Sequence, residues 1–258
     1  METERALAAL IASPKYRGVY SGATERVYMD ALRRYGSKGA DKAARAELHR
    51  ITGAFLSPNE LKKARTLLEA AKSGDDGALE RVLALHASTR ERLPDMAALF
   101  ERALPALGNP RLVLDLACGL NPLYLGSLGL SVRGIELQTD AARLVNEWAD
   151  ALGWDVRVEP GDLAEGKPLP EADATLLMKL LPLLDKQMVG GGQALLSRVR
   201  SKKALVTFPT RTLSGRNVGM RSHYEASFEQ TLPADAIILE KFELSGELCF
   251  VLELGANR

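Results

Sequence analysis

Residues 111–123, RLVLDLACGLNPL, contain the pattern that decides the fold. The apolar run at 113–116 is too short for a helix, and it predicts a strand buried on both faces. Small residues at 117–119 then predict a turn that a ligand can approach closely, while Asn121 and Pro122 predict the N-cap and first residue of a helix. A strand, a small-residue turn and a helix in this order predict a cradle for a nucleotide or cofactor.

The turn differs from the dinucleotide fingerprint G-x-G-x-x-G, because only Gly119 stands at a tight-turn position and Asp115 precedes it on the strand. This difference disfavours a plain NAD site. Glu136 follows Gly119 by 17 residues and ends a second strand-like run at 131–135. An acid at that position can bind both hydroxyls of a ribose. The pair resembles the first motif of Rossmann-like S-adenosylmethionine (SAM) methyltransferases, although a purely structural acid remains an alternative at this point.

Seven strands are predicted, at 111–116, 131–136, 155–159, 173–179, 203–208, 236–243 and 247–253. Helical segments separate the first five, which predicts a parallel doubly wound sheet. Only residues 244–246 separate the last two, which requires an antiparallel hairpin. The predicted fold class is therefore α/β, with a Rossmann-like class I SAM-dependent methyltransferase core of five parallel strands plus a C-terminal antiparallel hairpin.

Residues 2–105 show no convincing strand, and helices are predicted at 3–11, 23–35, 40–55, 58–73, 76–86 and 89–103. Ser57 and Ser88 each precede a Glu by three residues, which is the spacing of a capping box. Pro94 is expected to kink or interrupt the last helix. We expect an all-helical N-terminal domain at residues 1–74 and a methyltransferase domain at residues 75–258.

Composition indicates a soluble globular protein. No apolar run approaches the 18 or so residues that span a bilayer, and the first residues lack the charge pattern of a signal peptide, so we expect a cytoplasmic location. Cys118 and Cys249 are the only cysteines and form no C-x-x-C motif. They are expected to be buried free thiols, with neither a metal nor a disulfide.

Charge is distributed unevenly along the chain. Residues 1–74 contain 14 Lys and Arg against 8 Asp and Glu, whereas residues 75–258 contain 20 against 25. The segment 186–224 contains eight basic residues and no acid. Such segments are typical of surfaces that contact phosphates, although a merely solvated basic face is the alternative.

Several collinear segments resemble one family. They are GAFLSP at 53–58, LHASTRERL at 85–93, LDLACGLNPL at 114–123, KLLPLL at 179–184 and FPTRTLSGR at 208–216. These segments closely resemble the aminoglycoside-resistance 16S rRNA methyltransferases of the Arm/Rmt type, which methylate N7 of guanine 1405. The resemblance covers nearly the whole chain, including the helical N-terminal region.

The resemblance implies S-adenosylmethionine as cofactor and 16S rRNA within the assembled 30S subunit as partner, and we expect a monomer without membrane contact. Arg92 is expected to pair with the cofactor carboxylate, since guanidinium binds carboxylate through two hydrogen bonds. Asp162 is expected to accept from the adenine amino group, and Leu163 to flank the ring. Together with the cradle, the resemblance places the cofactor contacts on Phe55, His86, Ala87, Ser88, Arg92, Ala117, Cys118, Gly119, Glu136, Asp162, Leu163, Met178, Lys179, Leu180 and Gln187.

No general acid, general base or metal is expected at this site. Guanine N7 carries a lone pair and no proton, so it can attack the methyl group directly. Methylases of exocyclic amines usually show Asn/Asp-Pro-Pro-aromatic after the fourth strand, whereas this chain has KLLP at 179–182. The predicted RNA contacts are Lys15, Arg17, Arg33, Arg34, Lys202, Lys203, Arg211, Arg216 and Arg221.

Two other functions remain open from the sequence. One is a SAM-dependent methyltransferase that acts on another RNA base, a small molecule or a protein. The other is a non-catalytic rRNA-binding protein on the same scaffold. The acid-free basic segment disfavours a small-molecule or protein substrate and leaves another RNA base open. The acids Asp115, Glu136 and Asp162 disfavour the second function, because a decayed cofactor site would not retain them.

Overall fold

A computed structural model describes residues 2–210, 220–244 and 246–255, without the side chains of Glu2, Ala54, Met220, Arg221 and His223. The described residues form a seven-stranded sheet in the order β3-β2-β1-β4-β5-β7-β6. The strands are β1 Leu112–Leu116, β2 Ser131–Glu136, β3 Val156–Pro160, β4 Ala174–Met178, β5 Lys203–Pro209, β6 Ile237–Leu244 and β7 Glu247–Glu253.

The topology confirms the predicted five parallel strands and closing hairpin. Strands β1 to β5 pair in parallel, while β7 pairs antiparallel with both β5 and β6. The chain order reverses between β1 and β4, which are neighbours at the centre of the sheet. In open α/β sheets, ligands bind at the carboxyl ends of the strands beside such a reversal. The turns after β1, β2, β3 and β4 all open at that edge.

The helices follow the predicted order. They are α1 Glu2–Ile11, α2 Ser21–Ile51, α3 Pro58–Lys72, α4 Ala78–Leu83, α5 Ala87–Arg92, α6 Met96–Ala106, α7 Asn121–Ser127, α8 Thr139–Leu152, α9 Leu181–Gln187, α10 Gly191–Leu196 and α11 Met220–Thr231. Helix α2 contains a kink where two helices were predicted, because Gly36 has a left-handed φ of 66°. Pro94 lies in a short 3-10 turn between α5 and α6, so the predicted interruption is confirmed.

One predicted capping box is confirmed and two other helix starts are wrong. Ser57 and Glu60 form the reciprocal box at the start of α3. The box predicted at Ser88 is absent, because α5 begins two residues earlier than predicted and His86 takes the N-cap position. Helix α7 begins at Asn121 itself, whose side chain donates to a strand carboxylate and therefore does not cap the helix.

The helices of the N-terminal region belong to two different apolar cores. Helices α1 and α2 share a separate apolar core, which includes Leu10, Tyr28 and Leu48. Helix α3 instead packs on α8, and its apolar residues join the core on one face of the sheet. The domain boundary at residue 74 stays a prediction, and this packing favours a boundary between α2 and α3.

Cys118 and Cys249 are buried and free. Over residues 2–210, 220–244 and 246–255, no helix combines the length and the apolarity that crossing a bilayer requires. In the same part of the chain, no group of three or more His, Cys, Asp or Glu is arranged to hold a metal ion.

Candidate active site

The turn after β1 adopts a left-handed backbone at two positions. Ala117 has φ 54° and Gly119 has φ 52°. The backbone N–H of Ala117 donates to the carbonyl of Ile135 at 2.9 Å, which fixes the turn against β2. A Cβ added to Gly119 would lie 2.7 Å from Cε1 of His86. Only glycine satisfies both the left-handed φ and this close approach of the imidazole ring.

Glu136 is held at the tip of β2 by backbone donors. Its side chain is buried, and Oε2 accepts from the Gly119 N–H at 2.8 Å while Oε1 accepts from the Gln138 N–H at 2.8 Å. Burial raises the pKa of Glu136, and these hydrogen bonds oppose the rise. Each carboxylate oxygen has a second lone pair. The carboxylate can therefore accept from two further donors, such as a pair of neighbouring hydroxyls.

Asp115 and Asn121 form a buried pair under the turn. The Nδ2 group of Asn121 donates to Asp115 Oδ2 at 2.7 Å. Burial raises the pKa of Asp115 from 3.8 to about 7, although this hydrogen bond opposes the rise. Oδ1 of Asn121 is buried and has no hydrogen-bond partner among the described residues. Asn121 was predicted only as a cap, so its place in this pair was missed.

His86, Ala87 and Ser88 are half-buried where α5 begins. Nδ1 of His86 lies 3.1 Å from the hydroxyl of Thr89. Burial, followed by the positive charge of Arg92, lowers the pKa of His86 from 6.5 to about 4. The ring is therefore neutral at physiological pH, and it packs on the Gly119 turn without adding charge.

Arg92 is buried and makes a bidentate ion pair with Glu247 of β7. Its Nε lies 2.9 Å from Oε1, and its Nη2 lies 3.3 Å from Oε2. Lys179, which follows β4 with φ 55°, places its Nζ 3.2 Å from the same Oε1 and 2.7 Å from Oε2 of Glu91. Glu247 was not predicted as a site residue. Its sequence signal is an acid directly before the apolar run LCFVL, in the strand ELCFVLE.

Asp162 and Gln187 are joined by a residue that the sequence did not indicate. Arg26 of α2 donates from Nε to Asp162 Oδ2 at 2.6 Å and from Nη2 to Gln187 Oε1 at 3.2 Å. The other oxygen of Asp162 accepts from the Ala164 N–H at 2.9 Å. No local pattern marks Arg26, because its partners lie more than 130 residues away.

A cavity of about 240 Å³ lies against the tip of β3. Asp162 and Leu163 line it, together with Ile135, Arg198 and Tyr20 from the N-terminal region. The predicted adenine contacts Asp162 and Leu163 therefore share one hollow. The helical N-terminal region supplies part of its wall.

The remaining predicted cofactor residues lie around the same edge. Phe55 is half-buried and packs against the core of α1 and α2. Its neighbour Leu56 is held to the loop after β2, because the Gln138 side chain accepts from the Leu56 N–H at 2.8 Å and donates to its carbonyl at 2.7 Å. Met178 ends β4, and Leu180 is buried directly before α9.

Those predicted RNA contacts whose side chains the structure describes lie at separate places on the protein. Lys15 and Arg17 are exposed after α1, and Arg33 and Arg34 are exposed on α2, where both pair with Asp30. Residues 202 and 203 lie at the amino end of β5, at the sheet edge opposite the turns after β1 and β2. The placement of Lys202 and Lys203 thus contradicts a continuous basic face over 186–224. Arg211 and Arg216 lie outside the described residues, and the side chain of Arg221 is not described.

The fold and this arrangement of turn, acids and cavity define the class of Rossmann-like methyltransferases. The family model described as Ribosomal RNA methyltransferase (FmrO) matches residues 12–251. A 16S rRNA (guanine(1405)-N(7))-methyltransferase of Serratia marcescens is 36% identical over 98% of this chain and 99% of its own length. The chain belongs to the FmrO family of ribosomal RNA methyltransferases, which confirms the resemblance to the Arm/Rmt type.

Solved structures agree with this assignment. The 16S rRNA methyltransferase RmtF, crystallised in complex with S-adenosyl-L-homocysteine, is 47% identical with a TM-score of 0.91, and the match covers 98% of both chains. The 16S rRNA methylase RmtB is 33% identical with a TM-score of 0.88, again over 98% of both chains. This chain is thus similar to whole enzymes of that class over nearly its full length.

Proposed function

We propose that the protein transfers a methyl group from S-adenosylmethionine to N7 of guanine 1405 in 16S rRNA. The observation that carries the proposal is the Gly119 turn facing Glu136, in a chain that matches guanine-1405 methyltransferases from end to end. We also propose that this methylation confers resistance to aminoglycosides of the 4,6-disubstituted deoxystreptamine class.

The residues at the strand tips fit this cofactor. Glu136 offers two carboxylate oxygens to the ribose hydroxyls, and Gly119, which lacks a Cβ, allows the His86 ring to pack against the turn beside them. Asp162 and Leu163 line a cavity that suits the adenine ring. Arg92 and Lys179 supply cations for the carboxylate at the other end. When bound, S-adenosylmethionine supplies an electrophilic methyl group on a positively charged sulfur.

The chemistry requires positioning and no proton transfer at N7. His86 is neutral and half-buried, and Asp115 is bonded to Asn121, so neither is arranged as a base toward an entering nucleobase. Alignment of nucleophile, methyl group and leaving group contributes roughly 7–11 kcal/mol in well-oriented reactions. The residues of the site therefore act by holding the reactants in line.

The target base enters, in this proposal, through an aromatic cleft next to α9. The cleft has a volume of about 350 Å³ and is lined by Leu181, Pro182, Phe208, Tyr224 and Phe228. It begins directly after the predicted cofactor residues 178–180. The rings of Phe208 and Tyr224 stack at 5.2 Å, and flat aromatic walls are the surfaces on which extruded RNA bases stack.

The exposed cations of the N-terminal region would contact the RNA backbone. Lys15 and Arg17 are exposed on the turn after α1, and Arg33 and Arg34 are exposed along α2. Backbone contacts of this kind offset the cost of extruding a base, which is a few kcal/mol. We infer that the protein acts as a monomer in the cytoplasm on the assembled 30S subunit. The predicted roles of Arg211, Arg216 and Arg221 remain predictions.

Methyl transfer with tritiated S-adenosylmethionine tests this function. The purified protein is incubated with 30S subunits, 50S subunits and protein-free 16S rRNA. We expect label in 30S subunits and background counts in 50S subunits. The Glu136→Ala variant should lose transfer, whereas Glu101→Ala, at an exposed helical position, should retain it. Absence of label in 30S subunits with wild-type protein would reject the function.

A further inference from the structure

We propose that Glu247 is a positioning residue that holds Arg92 and Lys179 toward the amino-acid end of the cofactor. The inference rests on the proposed use of S-adenosylmethionine. It assigns a role in the site to the C-terminal hairpin, which lies outside the strands that usually carry cofactor contacts.

Topology brings Glu247 to the correct edge of the sheet. Strand β7 runs antiparallel to β5, and Glu247 pairs with Pro209 at the carboxyl end of β5. The first residue of β7 therefore lies at the edge where the parallel strands end. Residues from β5, from α5 and from the position directly after β4 meet it there, although they are distant in sequence.

Among the described residues, the Glu247 carboxylate contacts hydrogen-bond donors from three side chains. Oε1 receives Arg92 Nε at 2.9 Å and Lys179 Nζ at 3.2 Å, while Oε2 receives Arg92 Nη2 at 3.3 Å and the Thr207 hydroxyl at 2.7 Å. The side chain is only 4% exposed. A carboxylate buried to this extent is stable only when it is paired and hydrogen-bonded.

The bidentate pair fixes the orientation of the guanidinium. Glu247 engages Nε and Nη2 of Arg92, and no described residue takes the Nη1 group. Arginine can bind a second carboxylate through its remaining donors. Glu247 thus leaves one edge of Arg92 available to a carboxylate ligand. Lys179 is oriented in the same way, between Glu247 and the more exposed Glu91.

Charge pairing also explains why an acid is required here. Burial alone would raise the pKa of Glu247, but the charges of Arg92 and Lys179, together with the hydrogen bonds from Thr207 and Arg92, lower it overall. Without Glu247, the cations Arg92 and Lys179 would lie together in a largely buried site, and the more exposed Glu91 would remain as the partner of Lys179. The carboxylate of Asp115, which already feels the charge of Arg92, would then compete for the guanidinium.

Binding of two ligands distinguishes a role of Glu247 at the amino-acid end of the cofactor from a general role in stabilising the fold. S-adenosylhomocysteine carries the amino-acid carboxylate, whereas 5′-methylthioadenosine has the same nucleoside without it. In isothermal titration, Glu247→Gln should weaken S-adenosylhomocysteine binding at least tenfold and change methylthioadenosine binding less than threefold. Equal weakening of both ligands, or of neither, would overturn the proposal. Glu253→Gln, at the exposed far end of β7, serves as the matched control and should bind both ligands as the wild type does.

A double variant shows whether Glu247 acts through Arg92. If it does, Arg92→Ala combined with Glu247→Gln should bind S-adenosylhomocysteine within twofold of Arg92→Ala alone. Additive losses would overturn the proposal. If Glu247→Gln does not fold, Glu247→Asp keeps the charge on a shorter side chain and should give a smaller loss with the same ligand selectivity. If wild-type protein binds neither ligand, the proposed function itself fails, which is a different outcome.

Discussion

Replacing Asp115 by Asn removes a buried group whose ionisation opposes folding. Its side chain is 1% exposed, and its pKa is raised from 3.8 to about 7, mainly by burial. Because the folded pKa lies above the unfolded value, the folded state retains the proton longer. Stability should therefore fall as the pH rises from about 4 to about 7 and should then level off. Once Asp115 is fully ionised, the resulting loss in the free energy of unfolding amounts to about 4 kcal/mol.

The assay is the free energy of unfolding at pH values from 5 to 8. Over this range the ionisation of Asp115 should lower the free energy of unfolding of the wild type by about 2.5 kcal/mol, which corresponds to a drop in Tm of about 5–10 °C. Asp115→Asn keeps an acceptor for Asn121 and releases no proton, so its profile should lack this component. Asp76→Asn, at an exposed position, should leave the wild-type profile unchanged. Equal pH dependence in wild type and Asp115→Asn would refute the reasoning.

Two further substitutions test the turn and the contact between the regions. Gly119→Ala should weaken S-adenosylhomocysteine binding at least tenfold, because the new Cβ would meet an imidazole carbon of His86 at 2.7 Å. The control is Gly129→Ala, where φ is 81° and no atom lies within 4 Å of the added Cβ. This control should lose only about 1–2 kcal/mol of stability from its left-handed backbone and should bind the ligand normally. Binding lost equally in both variants would contradict this explanation. Gln138→Ala should lower the free energy of unfolding, measured by urea denaturation, by about 2–5 kcal/mol, because it leaves the backbone N–H and carbonyl of Leu56 without their partner. The control Gln230→Ala, at an exposed position, should change this free energy by less than about 0.5 kcal/mol. A Gln138→Ala loss as small as that of the control would show that the clamp contributes little.

Strand positions and the acids at their tips were predictable, because apolar runs and their ends are local signals. Glu136 and Asp162 stand where the strand pattern placed them. The predicted strand at 203–208 also implied that Lys202 precedes it and Lys203 begins it, at the opposite edge of the sheet. Counting charges along the chain ignored that geometry, and the basic segment was therefore wrongly treated as one surface.

Contacts between distant residues were not predictable from one sequence. Arg26 reaches Asp162, and Arg92 reaches Glu247, across more than 130 residues in each case. The failed capping box at Ser88 has a local cause, since His86 has an extended backbone and serves as the N-cap, so the helix begins two residues earlier than predicted. Pattern rules identify which residue types suit a helix start, but they do not decide between adjacent candidates.

The most direct test of the central proposal maps the modified base. 16S rRNA from cells that express the protein is treated with borohydride and aniline, which cleave the chain at N7-methylguanine, and primer extension then locates the break. We expect a stop at guanine 1405 in cells with wild-type protein and none in cells with Glu136→Ala. An intact strand at guanine 1405 in cells with wild-type protein, or a break at a different guanine, would contradict the proposed reaction.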